Sequence, residues 1–357
     1  MAELKVVGKG RSGGHNGFAE RFIFTPYQSV PRLLNLAGVL WQNFLMPDRS
    51  WARPIKLILE PSNLCNLECP LCPTGRGVSD RQVNILDFDV FREAVDPLAK
   101  WLYEAYFYNW GEPMLNRDLF RMVAYLSERR VRTVVSTNLT LADSEQISRM
   151  IESRLDTLVI SLDGTTQDVY SRYRRKGDFE DVRDSIREVI SIRDSNKSAF
   201  PRVVWQFVVF SFNQHQIDEA IEMAKTLGVD QIRFVPCFPE MEQMTTASPQ
   251  IKLKQLDGYQ STVVQYQLYH DSRPKGPRSH WPCNYLWAQF VLRSDGGVAP
   301  CCASYYIKDD FGSVKGFLPL AIWNNDAYQR ARRAVRTRGK HPGGLICDQC
   351  LKNELLA

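Results

Sequence analysis

The chain reads as an α/β protein: an open, partial barrel of six β/α units followed by a small cysteine-bearing tail. Three observations predict it. Between Ile55 and Pro236, extended runs rich in Val, Ile and Phe alternate with helical patterns. Strands that alternate with helices pair in parallel through crossover connections, and six such units suit an open barrel rather than the closed eight-stranded one. In the tail, Ser294-Asp295-Gly296-Gly297 separates two apolar runs, the mark of a hairpin. The nine cysteines fall unevenly, with three between positions 65 and 72 and five between 283 and 350.

The elements follow in order. Lys56–Glu60 reads as a strand and Asp87–Leu102 as a helix. Glu104–Tyr108 is the second strand, followed by a helix over Arg117–Arg130. Val131–Ser136 and Ala142–Ser153 form the third unit. Thr157–Leu162 and Phe179–Ser195 form the fourth. Arg202–Phe210, Gln216–Leu227 and Gln231–Val235 complete the array. From Pro239 to His280 the periodicity is poor, with one helix expected near Gln250–Tyr269. The hairpin strands are expected at Leu286–Arg293 and Val298–Cys302. Ahead of the barrel, Leu33, Leu36, Leu40 and Phe44 recur at helical spacing, which predicts a helix packed on the main domain through those residues. A membrane-surface or partner-docking helix is the sharper alternative. These readings divide the chain into 1–50, a leader and packing helix; 51–238, the barrel; 239–281, a connection; and 282–357, the tail.

Composition excludes several classes. Of 357 residues, 44% are apolar and 24% charged, the ordinary mix of a globular protein. That excludes collagen-like, mucin-like and wholly disordered chains. The net charge of +5 permits an acidic partner without demanding nucleic acid. No apolar stretch is long and uncharged enough to span a bilayer. The start shows no apolar run beside a cleavage site, which implies a cytoplasmic protein. An odd cysteine count cannot pair completely, and nine is too few for a disulfide scaffold of this size.

The first cysteine cluster carries chemistry. Cys65-Asn66-Leu67-Glu68-Cys69-Pro70-Leu71-Cys72 has the spacing C-x3-C-x2-C and follows the first strand directly. Three thiolates on one loop can face one centre. Iron–sulfur cubanes usually take four, so three leave one iron open. This spacing resembles the radical S-adenosylmethionine superfamily. The resemblance implies that the open iron is chelated by S-adenosylmethionine, which a cluster electron cleaves to a 5'-deoxyadenosyl radical that takes a hydrogen from substrate. Asn109-Trp110-Gly111-Glu112-Pro113, at the end of the second strand, resembles the family's G-G-E-P motif, with Trp110 in place of the first Gly. By that resemblance Glu112 binds the ammonium of the cofactor's methionine. Ser136-Thr137-Asn138 resembles T-N-G, with Leu139 in place of Gly, and brings Asn138 to the cofactor's surroundings. Ser161-Leu162-Asp163-Gly164 and Tyr170-Ser171-Arg172-Tyr173-Arg174 resemble S-L-D-G and Y-x-x-x-R, which implies cofactor contacts for Ser161 and Arg174. The aromatic residue often found before the third cysteine is Leu71 here.

The tail holds Cys283, Cys301, Cys302, Cys347 and Cys350. Their layout resembles the SPASM extension, and particularly its short form, the twitch domain. The resemblance implies one auxiliary [4Fe–4S] cluster on Cys283, Cys301, Cys347 and Cys350. Cys302 rivals Cys301, because adjacent strand residues point to opposite faces. Zinc held by four cysteines is the competing reading. Cys237 follows the sixth strand, where a thiol could return a hydrogen atom to a substrate radical; a buried structural cysteine is the plainer account.

These resemblances imply a radical enzyme that oxidises or otherwise modifies a small polar metabolite, reduced by flavodoxin or ferredoxin. The alternatives are a maturase that crosslinks or oxidises a ribosomal peptide, a radical epimerase, or a non-catalytic iron–sulfur or zinc protein.

Overall fold

The computed structural model describes residues 4–7, 22, 25–236 and 283–352. Cys237, the helix expected near Gln250–Tyr269, and His280 lie outside the described residues. The described chain is built on one ten-stranded sheet. A short strand, β1 (Lys5–Val7), and helix α1 (Val30–Leu45) precede the barrel. The barrel then runs β2 (Lys56–Leu59), α2 (Phe88–Ala99), β3 (Glu104–Phe107), α3 (Leu119–Glu128), β4 (Arg132–Thr137), α4 (Ser144–Glu152) and β5 (Thr157–Ser161). It continues through α5 (Gln167–Tyr173), α6 (Phe179–Ser195), β6 (Arg202–Val209), α7 (Ile217–Leu227) and β7 (Gln231–Pro236).

Strands β2 to β7 lie side by side in chain order, all parallel. The sheet is open, as expected from six units. Its outer face packs on the helices in the main core, which includes Leu57, Phe107, Val135, Leu158 and Phe207. Its inner face is lined midway by Ile58, Val134, Val159 and Val204, with Tyr106 packed between them. Three barrel helices start on a capping aspartate. Asp87, Asp143 and Asp178 accept backbone N–H bonds at the first turns of α2, α4 and α6, which satisfies donors that a helix leaves open.

The tail continues the same sheet. After a helical turn, α8 (Tyr285–Ala288), strand β8 (Gln289–Leu292) pairs in parallel with β2. Strand β9 (Gly297–Ala299) returns antiparallel, and β10 (Gly312–Ser313) adds to it. Helices α9 (Pro319–Ile322), α10 (Asp326–Arg336) and α11 (Ile346–Lys352) follow. Two expectations change here. Leu286–Ala288 is helical, so the first hairpin strand is shorter than its apolar run. The return strand stops at Ala299, because Pro300 has no N–H to continue the ladder. Cys301 and Cys302 therefore sit in the turn beyond it, and strand alternation does not choose between them.

Helix α1 packs differently from its leucine spacing. Leu33, Leu40 and Phe44 are 45%, 37% and 67% exposed, while Leu36 is buried. The buried face is largely polar. Arg32 donates to the carbonyls of Ala99, Arg129 and Arg130, which end barrel helices. Asn35 pairs with the Arg53 backbone, and Gln42 donates to the Trp287 carbonyl at 2.8 Å. Backbone carbonyls left open at helix ends attract these donors, and that outweighs the apolar pattern.

Candidate active site

The sequence motifs converge at the C-terminal ends of the parallel strands. One cavity of about 420 Å³ is lined by Cys65, Cys69, Cys72, Glu112, Asn138, Ser161 and Arg174. All seven barrel residues singled out as cluster or cofactor groups thus face one space. Leu71 also lines it, as an apolar wall, beside Tyr108 and Trp110. Burial pushes the Cys65 thiol up to about 11 and the Cys69 thiol up to about 12, and neighbouring thiols add to both. Arg174 acts in the opposite direction on each. Three thiols around one cavity suit a cationic iron centre, which takes deprotonated sulfur as its ligands.

Glu112 is buried at the start of a short helical turn, Pro113–Leu115. Its carboxylate accepts from the Met114 N–H at 3.0 Å, the Thr137 hydroxyl at 2.6 Å and the Asn138 N–H at 2.9 Å. Burial still raises its pKa. The preceding Gly111 is the retained glycine of its motif and has φ +103°. A Cβ there would lie 2.2 Å from the Ser62 carbonyl oxygen, so only glycine lets this loop approach the cluster loop. Leu139, which replaces the glycine of the third motif, has φ +61°. It holds a backbone conformation that glycine adopts more cheaply.

Asn138 does more than border the cavity. Its amide donates to the Asn66 side chain at 2.9 Å and approaches the Cys65 sulfur at 3.9 Å. It thereby ties the third strand's end to the cluster loop. Arg174 is held by Asp163, with Nε 2.7 Å from the carboxylate. The other Asp163 oxygen accepts from the Val208 N–H at 2.6 Å. Asp163 is fully buried, so it orients Arg174 rather than facing substrate. Another guanidinium nitrogen of Arg174, Nη1, donates to the Cys69 sulfur at 3.9 Å.

The tail builds a second centre. Cys283, Cys301, Cys347 and Cys350 line one cavity of about 50 Å³, with Leu286, Pro300, Val335 and Ile346 as apolar walls. Burial raises the Cys283 thiol to about 12, with Cys301 adding to it. Cys347 is raised by burial and then by Cys301, Cys283 and Cys350. The four thiols therefore form one electrostatic group. Cys302 packs instead against Ile58, Val291 and Ala299 on the inner face of the sheet. Among the described residues, no three His, Cys, Asp or Glu side chains are gathered on a single point for one metal ion. These thiols surround a cavity instead.

Links between the two centres are absent from any local sequence pattern. Trp110 donates its ring N–H to the Ser304 carbonyl at 2.9 Å and packs edge-on against Tyr305 at 5.3 Å. Arg81, just beyond the first cluster, pairs with Asp295 at 2.7 Å and Asp310 at 2.6 Å. Arg293, fully buried, pairs with Glu60 at 3.0 Å and donates to Ser304. With its amide oxygen and nitrogen exchanged, Asn109 accepts from Arg293 and donates to the Cys302 carbonyl at 2.9 Å. Removing one partner of a buried ion pair costs about 3–5 kcal/mol because the other charge is left uncompensated, so losing either Glu60 or Arg293 alone would loosen this link. The one sequence signal for these links is that Arg293 and Asp295 flank or form the hairpin turn.

Residues 59–224 match the radical SAM superfamily, and residues 283–351 match SPASM, an iron-sulfur cluster-binding domain. The chain therefore carries a radical SAM domain in its barrel and a SPASM domain in its tail. Its cofactors are a [4Fe–4S] cluster with S-adenosylmethionine and an auxiliary iron–sulfur cluster. It is 23% identical over 298 residues to the PqqA peptide cyclase of Bradyrhizobium diazoefficiens, covering 78% of this chain and 75% of that one. It is 24% identical over 293 residues to the tungsten-containing aldehyde ferredoxin oxidoreductase cofactor-modifying protein of Pyrococcus furiosus, covering 76% and 81%. SuiB of Streptococcus suis, solved with precursor peptide SuiA, shares the fold. Its TM-score is 0.57 at 15% identity, covering 86% of this chain and 72% of that one. No helix among the described residues is long and apolar enough to cross a membrane.

Proposed function

We propose that this radical SAM enzyme is a peptide maturase, one that removes hydrogen from a residue of a ribosomally made peptide to crosslink or oxidise it. The observation that carries this reading is the match to a peptide cyclase across about three quarters of both chains, 78% of this one and 75% of that one. That favours a peptide over the small polar metabolite that the sequence resemblance put first.

When bound, the first cluster and S-adenosylmethionine supply a 5'-deoxyadenosyl radical that abstracts hydrogen from the substrate. Cys65, Cys69 and Cys72 hold that cluster. Glu112, fixed by Thr137 and Asn138, takes the ammonium of the cofactor. Arg174, held by Asp163, takes the carboxylate through its outer guanidinium edge, and Ser161 and Asn138 border the remainder. Leu71 and Tyr108 exclude water from the reacting space. Cys283, Cys301, Cys347 and Cys350 would hold the auxiliary cluster, which would supply one-electron redox chemistry beside the radical site. An acidic flavodoxin or ferredoxin fits the mildly basic chain as electron donor.

The test is anaerobic incubation of reconstituted protein with S-adenosylmethionine, reductant and short peptides encoded beside its gene, read by mass spectrometry. The expected result is one peptide lighter by the hydrogens removed. Turnover of small metabolites with no change in any peptide would overturn the reading.

A further inference from the structure

Most buried or partly buried arginines around the site have a clear partner. Arg174 has Asp163, Arg293 has Glu60, and Arg81 has two aspartates. Arg32 and Arg332 lie away from the cavity, and each is wrapped by several backbone carbonyls. Arg233 differs. It lies on β7 opposite Gln206 of β6. Gln206 lines the cavity, as does Val235, two residues further along the same face of β7. Arg233 therefore faces the barrel interior, one layer beneath the cofactor space.

Among the described residues its guanidinium has a single hydrogen-bond acceptor, the Gln206 amide oxygen. Its Nε is buried without a partner. No carboxylate pairs with it among the described residues. The groups that act on it electrostatically are Tyr108 and Tyr106, and burial lowers its pKa. A partly desolvated cation without a counter-ion carries a cost. The cost is recovered if an anion arrives with the ligand, and a guanidinium offers two parallel donors to a carboxylate. The neighbouring ring of Tyr108 lines the same cavity and gives an apolar side to whatever carries that anion.

We propose that Arg233, with Gln206 and Tyr108, forms a substrate subsite that holds a carboxylate, so that the peptide carries an acidic residue at or beside the reacting position. This deepens the peptide reading and rests on it.

The test uses reconstituted protein loaded with S-adenosylmethionine and no reductant. The probes are N-acetylglutamate N-methylamide and its glutamine counterpart, read by saturation-transfer NMR titration. The glutamyl probe should bind about tenfold tighter, the scale of one charge-assisted hydrogen bond. Arg233→Gln should erase that preference at unchanged iron content, and Arg233→Lys should restore part of it. Equal binding of the two probes to the wild-type protein overturns the subsite, and needs no variant to fold. A preference that survives in Arg233→Gln also overturns it. So does a loss of S-adenosylmethionine affinity in Arg233→Gln with the glutamyl preference intact, since Arg233 would then serve the cofactor. A glutamyl preference in a protein that modifies no peptide leaves the subsite standing and removes the peptide reading instead.

Discussion

The barrel cavity and the tail cavity are both rimmed by cysteine, but they differ in size and lining. The first encloses about 420 Å³ and mixes three thiols with Glu112, Asn138, Ser161 and Arg174. The second encloses about 50 Å³, with four thiols set mostly among apolar side chains. Three thiols with polar room beside them leave an iron open for a cofactor. Four thiols with no such room close their cluster off. On the proposed reading, the chain separates chemistry from electron handling by how much space each cysteine set is given.

The largest effect should come from breaking the open site. Cys65→Ala should abolish 5'-deoxyadenosine formation and remove about four irons of a cubane, read by chromatography and iron assay. Breaking the closed site should give a different pattern. Cys347→Ala should lose a similar share of iron, while cofactor cleavage stays measurable and peptide product disappears. Gly111→Ala tests the packing that brings Glu112 to the cluster loop. With the Ser62 carbonyl 2.2 Å from the new Cβ, S-adenosylmethionine affinity should fall about tenfold or more, given the backbone shift such a contact forces. The tail ligand set is sharpened by a pair of variants. Cys301→Ala should lose the auxiliary cluster, whereas Cys302→Ala should keep full iron, because Cys302 packs away from the tail cavity. The smallest effect belongs to the seam between the sites. Trp110→Phe keeps the ring but loses the bond to the Ser304 carbonyl, and should cost about 1 kcal/mol in thermal or denaturant unfolding.

Much of this comparison is legible in the sequence, for a physical reason. Local patterns report local structure, so the strand beginning at Lys56 and the helix Phe179–Ser195 emerge from periodicity alone. Motif residues at strand ends also meet, because parallel strands in chain order bring their C-terminal ends to one rim. What escapes is long-range. Nothing near Gln289 announces that it pairs with Lys56. Nothing near Arg293 names Glu60 as its partner. The leucine spacing of the N-terminal helix misleads because Arg32, Asn35 and Gln42 find backbone partners that the sequence does not display. Pro300 is the one local signal that corrects the tail, since it ends the strand before Cys301. Arg233 is invisible until β6 and β7 are set side by side.

The central claim is one open cluster and one closed cluster in the same chain. Anaerobic reconstitution, an iron count, and then reduction with dithionite in the presence of S-adenosylmethionine test it most directly. The account predicts about eight irons per chain, two cubanes of four, and formation of 5'-deoxyadenosine. A fully loaded protein that forms no 5'-deoxyadenosine would contradict it.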